Sequence, residues 1–138
     1  MSNKKILLVE DNYNDIIAIQ DAFRKLEGNH SLHVVHNVRD ALQVLMGNNT
    51  RFSPGQSRQM KSKPEIVLLG IRFLQQSAKE FLDVINKYYS LKDIRVYITG
   101  ESEQKVDPEL AARYGIAGYI AKPFDLNDPV NETVVSLR

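Results

Sequence analysis

Hydrophobic residues along this chain alternate between short, mostly apolar runs and longer segments in which they recur every three or four positions. Short apolar runs are typical of strands that are buried on both faces of a sheet. Five such runs predict strands, at residues 6–9, 32–35, 66–69, 94–98 and 117–121. A spacing of three or four is that of an amphipathic helix. It predicts five helices, at residues 13–26, 38–45, 81–89, 107–115 and 128–137.

Two of the predicted helices begin with the same local signal, an Asp-Pro pair at 107–108 and at 128–129. Aspartate is a favoured N-cap residue, and proline suits the first helical position because its φ angle is already helical. The segment 48–63 has neither hydrophobic pattern and is rich in polar residues, glycine and proline. We therefore predict a long surface loop there.

The regular alternation of strands and helices indicates an α/β fold. Right-handed crossovers would bring the five strands into one parallel sheet with helices on both faces. The length is suited to one domain with a substantial core. We predict a single (βα)5 doubly wound, flavodoxin-like domain that spans residues 1–138 and carries no output domain.

The composition restricts the classes of partner. The chain has 18 basic and 17 acidic residues, a formal net charge of +1, which gives no electrostatic reason to expect nucleic acid or an anionic membrane. The absence of cysteine excludes disulfides, thiol catalysis and cysteine metal sites. No segment approaches the roughly 20 apolar residues of a membrane span, and the first apolar run is too short for a signal peptide. We expect a cytoplasmic protein.

Several informative residues stand where the predicted strands end. Glu10 and Asp11 follow the first strand, Gly70 the third, Thr99 lies at the end of the fourth, and Lys122 follows the fifth. In open α/β sheets, ligands bind at the carboxyl ends of the strands, near the point where the strand order reverses. We therefore expect these five positions to line one pocket.

The chain resembles the receiver domain of bacterial two-component response regulators in the order of these features. The first strand precedes Glu10 and Asp11, and the third precedes Gly70. Thr99 follows later, and then Lys122, which is followed by proline. The resemblance covers nearly the whole chain and implies a receiver fold and a role in phosphorelay signalling. In that family the third strand ends in an aspartate that accepts a phosphoryl group from a histidine kinase. Here the position is Gly70, which has no side chain to phosphorylate. The chain therefore resembles a pseudo-receiver.

The resemblance also implies roles for the rest of the pocket. Glu10 and Asp11 match the acids that bind Mg²⁺ in the family, and Lys122 matches the lysine that faces the phosphoryl group. Thr99 matches the hydroxyl switch residue, and Tyr119 matches the aromatic residue that changes rotamer on activation. Because the central carboxylate is missing, we expect that no cofactor is required and that Mg²⁺ binds weakly at most.

The segment after Gly70 departs from the family pattern, since Leu74 stands where members usually have proline. We interpret residues 71–76 as an altered loop. Arg72 lies two residues beyond Gly70, and the missing side chain leaves room for its guanidinium group to turn towards the acidic pair. Arg72 is therefore a candidate cation for the pocket, and the alternative is an arginine that points to solvent.

The opening strand and the long loop at 48–63 are similar to those of single-domain regulators that are paired with bacterial phytochromes. The resemblance implies a signalling protein rather than an enzyme, with a sensor kinase or another regulator as its protein partner. It also implies a partner surface, suited to a homodimer, on the face formed by the helix at 107–115, the fifth strand and the helix at 128–137. Neither nucleic acid nor membrane is expected.

Two alternatives remain open. One is a regulator that is phosphorylated at a non-standard acceptor. The other is a flavodoxin-like cofactor-binding protein, which would need a phosphate-binding loop rich in Gly, Ser or Thr after the first strand. This chain has acidic residues there instead, and their charge would repel phosphate.

Overall fold

A computed structural model describes residues 4–26, 29–45, 64–76, 78–87, 94–101, 108–122 and 124. The loop predicted at 48–63 and the helix predicted at 128–137 lie outside these described residues, as does Asp107, the predicted N-cap of the fourth helix. Among the described residues, no helix combines the length and the apolar character that a membrane span requires.

The five predicted strands all form, and they pair in parallel in one sheet. Their bounds are β1 Lys5–Val9, β2 Ser31–Val35, β3 Ile66–Gly70, β4 Arg95–Gly100 and β5 Ile116–Ala121. The strand order is β2-β1-β3-β4-β5. The predicted α/β fold is therefore confirmed. The order reverses between β1 and β3, and the carboxyl ends of these two strands mark the expected ligand crevice.

The helices of the described residues are α1 Tyr13–Arg24, α2 Val38–Leu45, α3 Ile71–Gln76, α4 Ala78–Lys87 and α5 Pro108–Tyr114. The interpretation of residues 71–76 as a loop was wrong, because this segment forms the short helix α3. No proline interrupts it, and Arg, Leu and Gln are good helix formers. The helix predicted at 81–89 corresponds to α4, which begins three residues earlier.

The start of α1 positions the residues that follow β1. The side chain of Asn12 accepts a hydrogen bond of 3.0 Å from the backbone nitrogen of Asp15, which makes Asn12 the N-cap. Such a cap satisfies one of the amide groups that the first helical turn leaves without a partner. The helix can therefore start immediately after Glu10 and Asp11, which fixes both acids at the edge of the sheet.

Two hydrophobic clusters hold the helices to the sheet. Residues of α2, α4 and α5 cover one face, where Phe81 and Leu82 are fully buried. Residues of α1, such as Ile19 and Phe23, cover the other. The strand β3 is buried along its whole length, as expected for a central strand with helices on both sides. The position of Gly70 is thus set by a strand that is buried along its whole length.

Candidate functional site

The carboxyl ends of the central strands bring three of the predicted site residues to one edge of the sheet. Glu10 directly follows β1, Gly70 is the last residue of β3, and Thr99 is paired with Gly70 in the parallel register of β3 and β4. Glu10 and Thr99 are the two buried polar or charged residues of the described part of the chain, at 4% and 2% exposure. Burying a charged group is costly unless it is paired, so the partners of Glu10 are central to the site.

The carboxylate of Glu10 is turned inwards and held by its own backbone. Its Oε2 accepts hydrogen bonds of 2.9 Å from the backbone nitrogens of Asp11 and Asn12. Its Oε1 faces Gly70, so that a β-carbon added to Gly70 would lie 2.9 Å from this oxygen. Glu10 therefore occupies the space that a side chain at position 70 would need.

The guanidinium group of Arg72 closes the acidic pair. Its Nη2 lies 3.2 Å from Oε2 of Glu10 and also forms an ion pair with Oδ1 of Asp11. The guanidinium carbon lies 5.9 Å from the centre of the Phe73 ring, within the range of a cation–π contact. Arg72 is half exposed, but its charged end is bound in the pocket, so the alternative of an arginine that points to solvent does not describe this structure.

Lys122 is bound by two carboxylates that the sequence patterns did not single out. Its Nζ lies 2.8 Å from Oε1 of Glu101, directly after β4, and 3.1 Å from Oδ1 of Asp15, in the first turn of α1. The hydrogen bond that Lys122 donates to Glu101 has the largest influence on the pKa of this lysine and raises it, and the bond donated to Asp15 acts in the same direction. Lys122 therefore connects the end of β5 with β4 and α1.

Tyr119 and Thr99 differ in how their hydroxyl groups are satisfied. The hydroxyl of Tyr119 donates a hydrogen bond of 2.6 Å to the backbone carbonyl of Glu101, the residue whose side chain binds Lys122. The Tyr119 ring packs against the core on the side of α2 and α4. Within the described part of the chain, the buried Oγ1 of Thr99 has no hydrogen-bond partner.

The donor atoms at this edge of the sheet do not fit a divalent cation. Mg²⁺ prefers several oxygen ligands in near-octahedral geometry. Glu10 already uses Oε2 for two backbone amides and Arg72, and Gly70 supplies no carboxylate. Among the described residues, no group of three or more His, Cys, Asp or Glu side chains could hold a metal ion.

The fold is similar to that of solved response regulators. A two-component response regulator from Legionella pneumophila has a TM-score of 0.77 and 23% identity, with 97% of this chain and 96% of that chain covered. The phosphorylated cyanobacterial phytochrome response regulator RcpA has a TM-score of 0.70 and 26% identity, with 99% and 91% covered. The Mn²⁺-bound form of the response regulator Rcp1 has a TM-score of 0.70 and 22% identity, with 97% and 91% covered.

No protein-family model and no curated protein matches the sequence. The structural likeness therefore establishes the fold, which is the flavodoxin-like receiver fold of response regulators. The similar structures include regulators associated with phytochromes.

Proposed function

We propose that this chain is a receiver-like domain of a two-component signalling system that lacks the phosphoacceptor aspartate and acts through phosphorylation-independent protein–protein contacts. The receiver fold supports a role in two-component signalling. The resemblance of the sequence assigns the acceptor position to Gly70. On this proposal the protein is not an enzyme, requires no cofactor and binds Mg²⁺ weakly at most.

One observation carries the proposal. Position 70 has no side chain, and Oε1 of Glu10 lies 2.9 Å from the point where a β-carbon would be placed. The space in which an acceptor would stand is therefore taken by a carboxylate that is held by two backbone amides and by Arg72. A phosphoryl group entering this space would meet the negative charge of Glu10 directly.

The partner in this proposal is a protein, either a sensor kinase or another regulator. The formal net charge of +1 supports neither nucleic acid nor an anionic membrane as the partner, and we propose a cytoplasmic location. In the homodimer that we propose, a second copy of the chain pairs through the face that includes α5 and β5. Sedimentation equilibrium over a range of concentrations tests this arrangement.

The decisive experiment is incubation of the purified protein with acetyl phosphate and Mg²⁺, followed by intact-protein mass spectrometry. A phosphorylatable response regulator serves as the positive control. We expect the control to gain the mass of one phosphoryl group and this protein to remain unchanged. A stoichiometric, base-labile acyl phosphate would contradict the proposal, and peptide mapping would then identify the non-standard acceptor.

Partner binding supplies a second readout. A ligand shifts a two-state equilibrium only through its different affinity for the two states, and here the phosphoryl ligand is absent. We therefore expect a partner recovered from the native organism to bind equally well with and without acetyl phosphate. A tenfold change in affinity, about 1.4 kcal/mol, would show that the switch is still coupled to the pocket. An absorbance spectrum of the purified protein tests the flavodoxin-like alternative, because a bound flavin would appear in it.

A further inference from the structure

We infer that Arg72 is the permanent cation of this pocket and makes its stability independent of divalent metal ions. The inference concerns the same site as the proposed function and rests on it only in treating Gly70 as the acceptor position. In this arrangement the positive charge of the pocket comes from a side chain of the protein rather than from a bound metal ion. Glu10 fills the space of the missing side chain, and the guanidinium group of Arg72 supplies the positive charge.

The first argument is the position of the charge. A single nitrogen of Arg72 contacts Oε2 of Glu10 at 3.2 Å and also pairs with Oδ1 of Asp11. Two neighbouring carboxylates repel each other, and a cation shared between them relieves that repulsion. Glu10 is almost fully buried, so it depends on a partner more than an exposed carboxylate does.

The second argument is that the backbone holds Arg72 in place. The helix α3 begins at Ile71, directly after the last residue of β3, so Arg72 is close to the sheet edge. The residues on either side of it, Ile71 and Phe73, are both buried in the core cluster below α4. These two anchors fix the backbone of Arg72 beside the acidic pair, and the Phe73 ring supports its guanidinium group.

The third argument is that a metal ion would have to undo these contacts. Oε2 of Glu10 already accepts from two backbone nitrogens and from Arg72, and Oε1 is turned towards Gly70. A divalent ion would have to displace the guanidinium group and would gain only Asp11 and part of Glu10 as ligands. Arg72 and a metal ion are therefore alternatives, and the contacts of the described residues favour Arg72.

The test compares Arg72→Ala and Arg72→Gln with the wild type and with Arg24→Ala. Arg24 is the matched control, since it also pairs with an aspartate, Asp21, but lies at the far end of α1. Thermal unfolding is measured at pH 7 in EDTA and then with millimolar MgCl₂, against NaCl of the same ionic strength. Mn²⁺ binding, followed by electron paramagnetic resonance, reports the metal directly.

We expect the wild type and Arg24→Ala to show no unfolding shift with Mg²⁺ beyond that of the NaCl control. Both Arg72 variants should unfold at a lower temperature than Arg24→Ala in EDTA, regain stability with Mg²⁺, and bind Mn²⁺ at least about tenfold more tightly than the wild type. The Gln variant keeps most of the side-chain stem, so it remains informative if the Ala variant folds poorly.

Saturable Mg²⁺ stabilisation of the wild type would overturn the inference. The inference would also be overturned if the Arg72 variants lost stability but were not stabilised by Mg²⁺. Arg72 would then form an ordinary ion pair rather than take the place of a metal ion. These outcomes are independent of the phosphorylation assay. A wild type that binds Mg²⁺ but takes up no phosphoryl group overturns this inference alone, whereas acyl phosphate at another acceptor contradicts the proposed function alone.

Discussion

Replacing Gly70 with aspartate would supply the carboxylate that the proposed function treats as missing, and the structure predicts a loss of stability. The new β-carbon would lie 2.9 Å from Oε1 of Glu10. In real structures, a β-carbon is essentially never this close to another heavy atom to which it is not bonded. The backbone at Gly70 has no positive φ angle, so the conflict comes from the neighbouring carboxylate rather than from the main chain. Either the side chain of Glu10 moves, or its carboxylate remains beside the negatively charged carboxylate of the new aspartate.

The size of the effect follows from these two possibilities. If Glu10 moves, it gives up hydrogen bonds to the amides of Asp11 and Asn12, and a bond to a charged group contributes about 1.5–3 kcal/mol. If it stays, two unit charges at roughly 4 Å repel by about 4 kcal/mol at an effective dielectric constant of about 20. Arg72 offsets part of this repulsion. We expect the free energy of unfolding of Gly70→Asp to fall by about 2–4 kcal/mol.

Urea denaturation followed by circular dichroism measures the free energy of unfolding and its dependence on denaturant. Gly70→Asn has the shape of aspartate without the charge, and Gly70→Ala adds the β-carbon alone, so the three variants separate shape from charge. We expect Gly70→Ala to change stability little, because the oxygen that its β-carbon meets is the end of a flexible side chain, and we expect stability to decrease from Ala to Asn to Asp. Equal stability of the Asn and Asp variants would refute the electrostatic part of the reasoning, and an Asp variant as stable as the wild type would refute all of it.

Two further predictions concern Tyr97 and Lys122. Within the described residues, the buried hydroxyl of Tyr97 has no hydrogen-bond partner, so Tyr97→Phe should raise the free energy of unfolding in urea by about 1 kcal/mol, and a decrease would show that the hydroxyl is satisfied. Lys122 has its pKa raised above the usual 10.5, so its stabilising effect is fully present below that pH and is lost as the pH rises through the higher folded-state pKa. The stability difference between wild type and Lys122→Met should therefore be constant from about pH 7 to 9 and shrink at higher pH. A difference that grows in alkali would contradict the assignment.

The sheet could be predicted from the sequence because its strands are buried on both faces and read as apolar runs. The short helix α3 could not be predicted in the same way. Its buried residues Ile71 and Phe73 are two positions apart, which is not helical spacing, and six residues are too few to show a period. What determines this helix is its attachment to the end of β3 and its packing on the core, and both are tertiary effects.

The sequence could predict those parts of the candidate site whose positions depend only on the backbone. Parallel strands end at the same edge, so Glu10, Gly70 and Thr99 had to lie close together once the fold was recognised. The partners of Lys122 were not predictable, since a long side chain can reach several carboxylates and the choice depends on its rotamer. One signal was present for Asp15, which stands three residues after the N-cap Asn12 and is thereby fixed in the first turn of α1.

The orientation of Oε1 of Glu10 towards Gly70 also bears on which residues this position can accept. A second carboxylate there would place another negative charge beside Glu10, and like charges at this distance repel. Alanine, serine, asparagine and aspartate share a β-carbon, which at position 70 would meet Oε1 of Glu10. Any of them would require this carboxylate to turn away. The inward orientation of Glu10 and a side chain at position 70 therefore exclude each other.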